Sequence, residues 1–355
     1  YDGYLPVSAS FGKLCATSIS GDAIYLDNTT IPGTVSGSSQ IASGISGSFN
    51  KGFSYTGTIS KREGVWSSGT ALPLAIKGIN GVGNKAAALY FGGYPGLTGA
   101  YHYNGSSWSA GGALPVATFD SQAAGTEYVA LAAGGHDTAI ANTQEYYGET
   151  WAAGGALIIA RGYGAGFGLQ NAALAVGGAK YYPGPFVRYT CTEVYDGSSW
   201  SETGNTTNID GFIAGAGTVN AGIVFGGYPA PASPSAVLNC TELFDGSSWS
   251  ATTGMITARF NHGGSGLQNA AVTFGGQPGP VFGATTEEWN GTAWSTTGAL
   301  STARYSSKNN TGGQHNTMMA GGRNPAAVSC TEEYTGYTAS GSFGRISATT
   351  FSGDA

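Results

Sequence analysis

Apolar positions along the chain come in short bursts of strand length, each closed by a small-residue or polar turn. Gln170-Asn171-Ala172-Ala173-Leu174-Ala175-Val176-Gly177-Gly178 is one such burst: a turn, an apolar run, then a glycine pair. A second type alternates polar and apolar residues and ends on tryptophan, as in Thr192-Glu193-Val194-Tyr195-Asp196-Gly197-Ser198-Ser199-Trp200, with a near copy at Thr241–Trp249. Runs of this length and alternation predict β-strands separated by tight turns. The two types recur in order, so the chain reads as a repeat protein.

The Gly-Gly pairs are Gly92-Gly93, Gly134-Gly135, Gly177-Gly178, Gly226-Gly227, Gly275-Gly276 and Gly321-Gly322. The aromatic before the turn is Tyr103, Tyr146, Tyr195, Phe244, Trp289 and Tyr334. A glycine follows two residues later each time. Asn-Gly and Asp-Gly here predict two-residue hairpin turns in which both central residues take positive φ, with antiparallel flanking strands. Five units carry their own tryptophan: Trp108, Trp151, Trp200, Trp249 and Trp294. In the last unit Ala339 stands there instead, while Trp66 precedes the first unit without a partner. A circular arrangement follows: the strand carrying Trp66 completes the unit that contains Gly321-Gly322 and Tyr334, leaving no large open sheet edge. The fold expected is all-β, a six-bladed propeller over 61–339 closed by an N-terminal strand.

The flanks follow another rule. Ser8-Ala9-Ser10-Phe11-Gly12-Lys13 through Ser20-Gly21-Asp22-Ala23 returns at Ser340-Gly341-Ser342-Phe343-Gly344-Arg345 through Ser352-Gly353-Asp354-Ala355, with 10 of 16 aligned positions identical. Segment 1–60 thus reads as a Ser/Thr/Gly-rich β-repeat, and 340–355 as the start of a further one. The chain opens on Tyr1, so a mature product or a piece of a longer chain is expected.

Composition supports a folded protein. Glycine is 61 of 355 residues and charged residues only 10%, yet apolar residues reach 41% and aromatics 12%. That is enough to build a core. A net charge of −6, with 14 scattered Lys+Arg, argues against nucleic acid. No apolar run reaches membrane-helix length. Cys191, Cys240 and Cys330 sit at one repeat position, so they are read as small strand hydrophobes rather than disulfide partners or metal ligands; Cys15 lies apart.

Units of 42–49 residues with an apolar strand, Gly-Gly, an aromatic and a tryptophan resemble kelch repeats, and Arg161, Arg259 and Arg304 upstream of the first strands fit that likeness. Lys77 lies near the arginine position in the first unit, Thr118 takes it in the second, and the fourth has no arginine. The flanking Ser-Gly-Ser-Phe-Gly motifs resemble the shaft repeats of bacteriophage tail fibres and virion appendages, marine phages especially. That second resemblance implies a virion-surface or extracellular protein with a propeller knob, partnered by a host-surface glycan or receptor and by other virion proteins. It also implies a homotrimer through the shaft.

Catalytic readings are weaker. Copper chemistry of the galactose-oxidase kind needs convergent histidines and tyrosines; His102, His136, His262 and His315 do not share one unit's loops and are read as ordinary loop histidines. The Asp196–Trp200 unit resembles a sialidase box, but Asn104, Tyr147, Asn290 and Thr335 replace the aspartate, so a turn role explains it. The repeated Glu145, Glu193, Glu242, Glu287 and Glu332 are read as equivalent strand positions that pair with the arginine or backbone of a neighbouring blade. No cofactor or metal is expected. Binding is expected on the loops after Gly-Gly, where Tyr94, His136, Tyr181, Tyr182, Phe186, Tyr228 and Phe282 sit among prolines. The function expected is a non-enzymatic virion protein; a secreted propeller enzyme acting on glycans and a cellular kelch scaffold are the alternatives.

Overall fold

The computed structural model describes residues 63–135, 140–180, 187–208, 211–228, 237–305 and 307–336. The shaft-like segments 1–60 and 340–355 lie outside them. Among the described residues there is no helix, and the strands form four separate four-stranded sheets, one eight-stranded sheet and a small two-stranded hairpin. The eight-stranded sheet consists of two four-stranded antiparallel sets. They meet along a parallel seam between Ile79–Asn84 and Ser307–Gly313.

Numbered along the chain, the first set runs Ile79–Asn84, Ala87–Phe91, Ala100–Tyr103 and Trp108–Ala110. The second is Gln122–Gly125, Val129–Ala133, Thr143–Tyr147 and Trp151–Gly154. The third is Ala165–Leu169, Ala172–Lys180, Val187–Tyr195 and Trp200–Thr203. The fourth is Ala214–Thr218, Ala221–Phe225, Thr241–Phe244 and Trp249–Thr252. The fifth is Gly263–Leu267, Ala270–Phe274, Thr286–Trp289 and Trp294–Thr297. The sixth is Ser307–Gly313, Asn316–Ala320 and Thr331–Thr335, with Val65–Gly69 as its outer strand. First strands of successive sets pack side by side, and that of the sixth touches that of the first.

The outer strand of the sixth set obeys the same register as the others. Trp66 faces Tyr334 just as Trp200 faces Tyr195 and Trp249 faces Phe244. The paired rings lie 5.1, 4.9 and 4.9 Å apart. Each indole also reaches back one set. Trp200 Nε1 donates to Thr143 Oγ1 at 2.8 Å, Trp249 to Thr192 at 2.9 Å, Trp294 to Thr241 at 3.0 Å and Trp66 to Thr286 at 2.8 Å. The tryptophan therefore fills a between-sheet core and satisfies its one polar atom there. Trp66, Val272, Phe274, Leu300, Met319 and Tyr334 form one such core.

The glycine pairs seat each set on the next. The first glycine of each has φ between +59° and +71°. A Cβ on Gly134 would stand 2.2 Å from the Arg161 carbonyl, and the Gly135 N–H donates to that same oxygen at 3.0 Å. Gly227 and Gly276 repeat the bond to Arg259 and Arg304, and Gly322 makes it to Ile76. Ile76, not Lys77, thus occupies the arginine position of the first unit.

The hairpin after the aromatic differs from the two-residue turn expected. Tyr195 pairs with Trp200, so four residues form the loop. Only Gly197 has positive φ, +94°. Asp196 holds the loop through its side chain, accepting from the N–H of Ser198 and of Ser199 at 2.8 Å each. Asn104 and Asn290 make the same bonds with an amide oxygen. An Asx side chain that mimics a backbone turn explains why aspartate and asparagine interchange.

Candidate functional site

The repeated carboxylates are committed to the sheets. Arg161 and Glu193 form a fully buried ion pair, as do Arg259 with Glu287 and Arg304 with Glu332. Glu193 also accepts from the N–H of Ile158 at 2.7 Å and Ile159 at 3.2 Å. Arg161 donates to the carbonyls of Gly177, Ala175 and Ile159. The arginine comes from the lead-in to the glutamate's own set, which corrects the expected pairing with a neighbouring blade. The group of five glutamates also needs correction. Gln144, not Glu145, occupies the position of Glu193, since Gln144 pairs with Ala153 as Glu193 pairs with Glu202. Gln144 accepts from Val116 N at 2.8 Å and donates to Val116 O at 3.0 Å. Thr118, at the arginine position, donates to Gly134 O at 3.0 Å. One site is thus filled by an ion pair in three units, by a neutral pair in the second, by Ile76 and Tyr101 in the first, and in the fourth by Glu242, which accepts from the N–H of Thr207 and Asn208 at 2.8 and 2.7 Å.

Glu145 belongs to another device, a latch between successive sets. Tyr195 of the third set donates to Glu145 of the second at 2.6 Å. Tyr334 donates to Glu288 at 2.7 Å and Tyr103 to Glu333 at 2.5 Å. Tyr146 shares a 2.7 Å hydrogen bond with His102. Where the aromatic is Phe244 or Trp289, the residue before the aromatic of the preceding set is apolar, Val194 or Leu243. Residues of neighbouring sets, 44 to 50 positions apart or, for Tyr103 and Glu333, 230, thus match in chemistry within this one chain. Burial, then the bond to Glu145, pushes the Tyr195 phenol up to about 12.

The histidines follow from these devices. His102 is in a strand, not a loop. It is buried, with Nδ1 3.0 Å from Glu127 Oε1. His262 is fully buried, with Nδ1 2.7 Å from Thr273 Oγ1. His315 Nδ1 lies 3.4 Å from Glu288 Oε1. Cys191, Cys240 and Cys330 are free and half-buried, and burial pushes the Cys191 and Cys240 thiols up. Among the described residues no group of three or more His, Cys, Asp or Glu is arranged to hold a metal.

Tyr94, Tyr228 and Phe282 lie at the Gly-Gly end, each against another ring: Tyr94 on Phe119 at 5.3 Å, Tyr228 on Phe260 at 5.0 Å and Phe282 on Tyr305 at 5.4 Å. Lys77 lies over Tyr94, Arg188 over Tyr228 and Arg323 over Tyr305. These rings are half-covered, and Tyr94 remains 46% exposed. His136, Tyr181, Tyr182 and Phe186 lie outside the described residues. A backbone chain runs along this end: Tyr163 N donates to Asp120 O, Phe212 N to Tyr163 O and Asn261 N to Phe212 O, at 2.8–2.9 Å. All four residues have φ between +50° and +61°.

At the opposite end, where first and second strands turn, a cavity of about 560 Å³ opens. Its wall includes Gly83, Gly125, Gly168, Gly217, Gly266 and Gly312, one from each first strand. All six have φ between +90° and +114°. A Cβ on any of them would come within 2.4 Å of a carbonyl four residues on. The wall is therefore backbone by necessity. Side chains enter from Asn84, Thr126, Glu127, Tyr128 and Asn316. The sequence signal for this mouth was the recurrent glycine one or two residues before each turn, which reads as composition until the strands are placed side by side.

No protein-family model matches the chain, and no curated protein matches it. Among solved structures it is similar to that titled "Structure of YjhT", with a TM-score of 0.61 and 13% identity over 74% of this chain and 95% of that one. At that identity the likeness concerns the fold alone. With the repeated four-stranded antiparallel sheets, it supports a β-propeller architecture.

Proposed function

We propose that the chain is a non-enzymatic virion appendage protein. It displays a six-bladed, kelch-like propeller, closed by Val65–Gly69, for binding a host-surface glycan or a protein. The observation that carries the non-catalytic reading is the fate of the repeated acids. Arg161–Glu193, Arg259–Glu287 and Arg304–Glu332 hold lead-ins to sheets, and Glu145, Glu288 and Glu333 latch one set to the next. Ring closure is supported by the register of Trp66 on Tyr334 and its bond to Thr286. The appendage reading is supported by the flanking repeat that returns at Ser340.

Electron microscopy and sedimentation of the full 355-residue chain test it. Trimers carrying three knobs on a common stem are expected. A monomer with no elongated stem refutes the appendage reading. Turnover of a glycan panel by the purified chain refutes the non-enzymatic one and favours a secreted glycan-active enzyme.

A further inference from the structure

The cavity at the turn end is chemically lopsided. On the side built by the sixth, first and second sets it presents Asn316, Asn84, Thr126 and Glu127, with the Tyr128 ring beside them. On the side built by the third, fourth and fifth sets its wall is glycine backbone alone, and the residues following two of those glycines are exposed leucines, Leu169 at 58% and Leu267 at 54%. One half thus offers amides, a hydroxyl and a carboxylate, and the other half offers only main chain.

The polar half is organised before any ligand arrives. Glu127 is buried, and His102 Nδ1 holds its Oε1 at 3.0 Å. Tyr128 is 57% exposed, yet its ring stacks on His102 at 5.5 Å with an interplanar angle of 27°. An exposed ring fixed by stacking on one face loses little freedom when its other face is covered. Elsewhere this turn carries Gln170-Asn171 or Gln268-Asn269, whose glutamines donate across to carbonyls of the preceding set. The second unit alone combines a carboxylate with an aromatic there.

The lining contains one carboxylate and no lysine or arginine. That charge pattern disfavours phosphates, sulfates and acidic sugars. Amides and a carboxylate to receive hydroxyls, and a flat ring to cover C–H surface, match a neutral pyranose, which has hydroxyls on its rim and an apolar face. A cavity of about 560 Å³ is within the usual range for small-ligand sites. We infer that this mouth binds a neutral saccharide, with Tyr128 stacking on the ring and Glu127, Asn84 and Asn316 receiving its hydroxyls. This deepens the glycan-binding reading above and rests on it only for the ligand class, not for the virion context.

The test is saturation-transfer NMR and calorimetry on the full chain with galactose, N-acetylglucosamine and maltose, and glucuronic acid as the anionic comparison. Neutral sugars are expected to bind and glucuronic acid to bind more weakly. Tyr128→Ala should weaken binding about tenfold, the scale of one lost aromatic anchor. Gly313→Trp supplies an independent arm. Gly313 lines the mouth and a Cβ there meets nothing within 4 Å, so a bulky side chain starts from open space. It should abolish binding with an unchanged melting temperature. Failure of every sugar to bind at millimolar concentration overturns the inference, as does binding unaffected by both variants. Loss of binding through Tyr94→Ala or Tyr228→Ala instead overturns this placement and leaves the glycan-binding reading standing. Sugar binding here by a stemless monomer leaves the inference standing and removes the appendage reading.

Discussion

Replacing Arg161 with threonine should be among the most damaging single changes to the sheets, and replacing Glu193 with glutamine at the same time should repair most of it. Both side chains are fully buried. Without the guanidinium, Glu193 keeps its two backbone donors, Ile158 and Ile159, but loses its counter-charge. The carbonyls of Ala175 and Ile159 also lose a donor. Breaking one partner of a buried pair costs about 3–5 kcal/mol. For a protein of this size that is a fall in melting temperature on the order of 6–10 °C. The double variant copies the second unit. There Thr118 donates to Gly134 O, the equivalent of Gly177 O, and Gln144 bonds Val116 in both directions. A residual loss of about 1–2 kcal/mol is expected from the volume removed. Urea unfolding of wild type, both single variants and the double variant completes the cycle. If the losses simply add, or if Arg161→Thr alone costs less than about 1 kcal/mol, the buried pair does not do what is ascribed to it.

Alkaline titration checks the Tyr195–Glu145 latch. The phenol rises from 10.0 in its ordinary state to about 12 when folded, so its contribution is complete below pH 10 and is lost as pH rises through 12. Tyr195→Phe should therefore flatten the loss of stability over that window in thermal melts followed by circular dichroism. Gly266→Ala forces a side chain onto φ +114° with its Cβ 2.3 Å from the Ala270 carbonyl. It should cost more than about 1 kcal/mol, whereas Gly313→Ala should stay within about 0.5 kcal/mol in the same denaturation assay. Trp66→Ala should cost about 3–5 kcal/mol, matching Trp200→Ala, because both indoles fill the same kind of between-sheet core; a much smaller effect for Trp66 would mean that its strand is dispensable.

Strand order was legible in the chain because its markers are local. Gly-Gly, the aromatic and the tryptophan each fall within a few residues of the turn they define, and the missing tryptophan at Ala339 pointed directly to Trp66. What local spacing could not show was register across sets. The latch was hidden, since the partner of Tyr195 lies 50 positions upstream. Glu145 was misplaced for a plainer reason: Gln144, like Glu193, stands two residues before its aromatic, and the pairing of Gln144 with Ala153 shows the same. The Asp-Gly turn went astray for a different reason. The dipeptide serves both a two-residue turn and an Asx-held four-residue loop, and nothing in the dipeptide itself decides between them. The cavity mouth escaped because its wall is main chain, which carries no residue signature beyond glycine.

The outer strand Val65–Gly69 has a consequence in time. A ribosome makes Trp66 well before its ring partner Tyr334, which appears 268 residues later. At roughly 5–20 residues per second, the gap is on the order of 10–50 s. Throughout that interval the Trp66 strand lacks its sheet partner, Thr331–Thr335, although Phe274 and Thr286, which meet the Trp66 ring, emerge earlier. Sets two to five can assemble behind the ribosome as they emerge, whereas the oldest strand, Val65–Gly69, must wait for the sixth set. Closure of the sixth set is therefore a capture event, and anything that occupies the Trp66 strand beforehand competes with its proper seat.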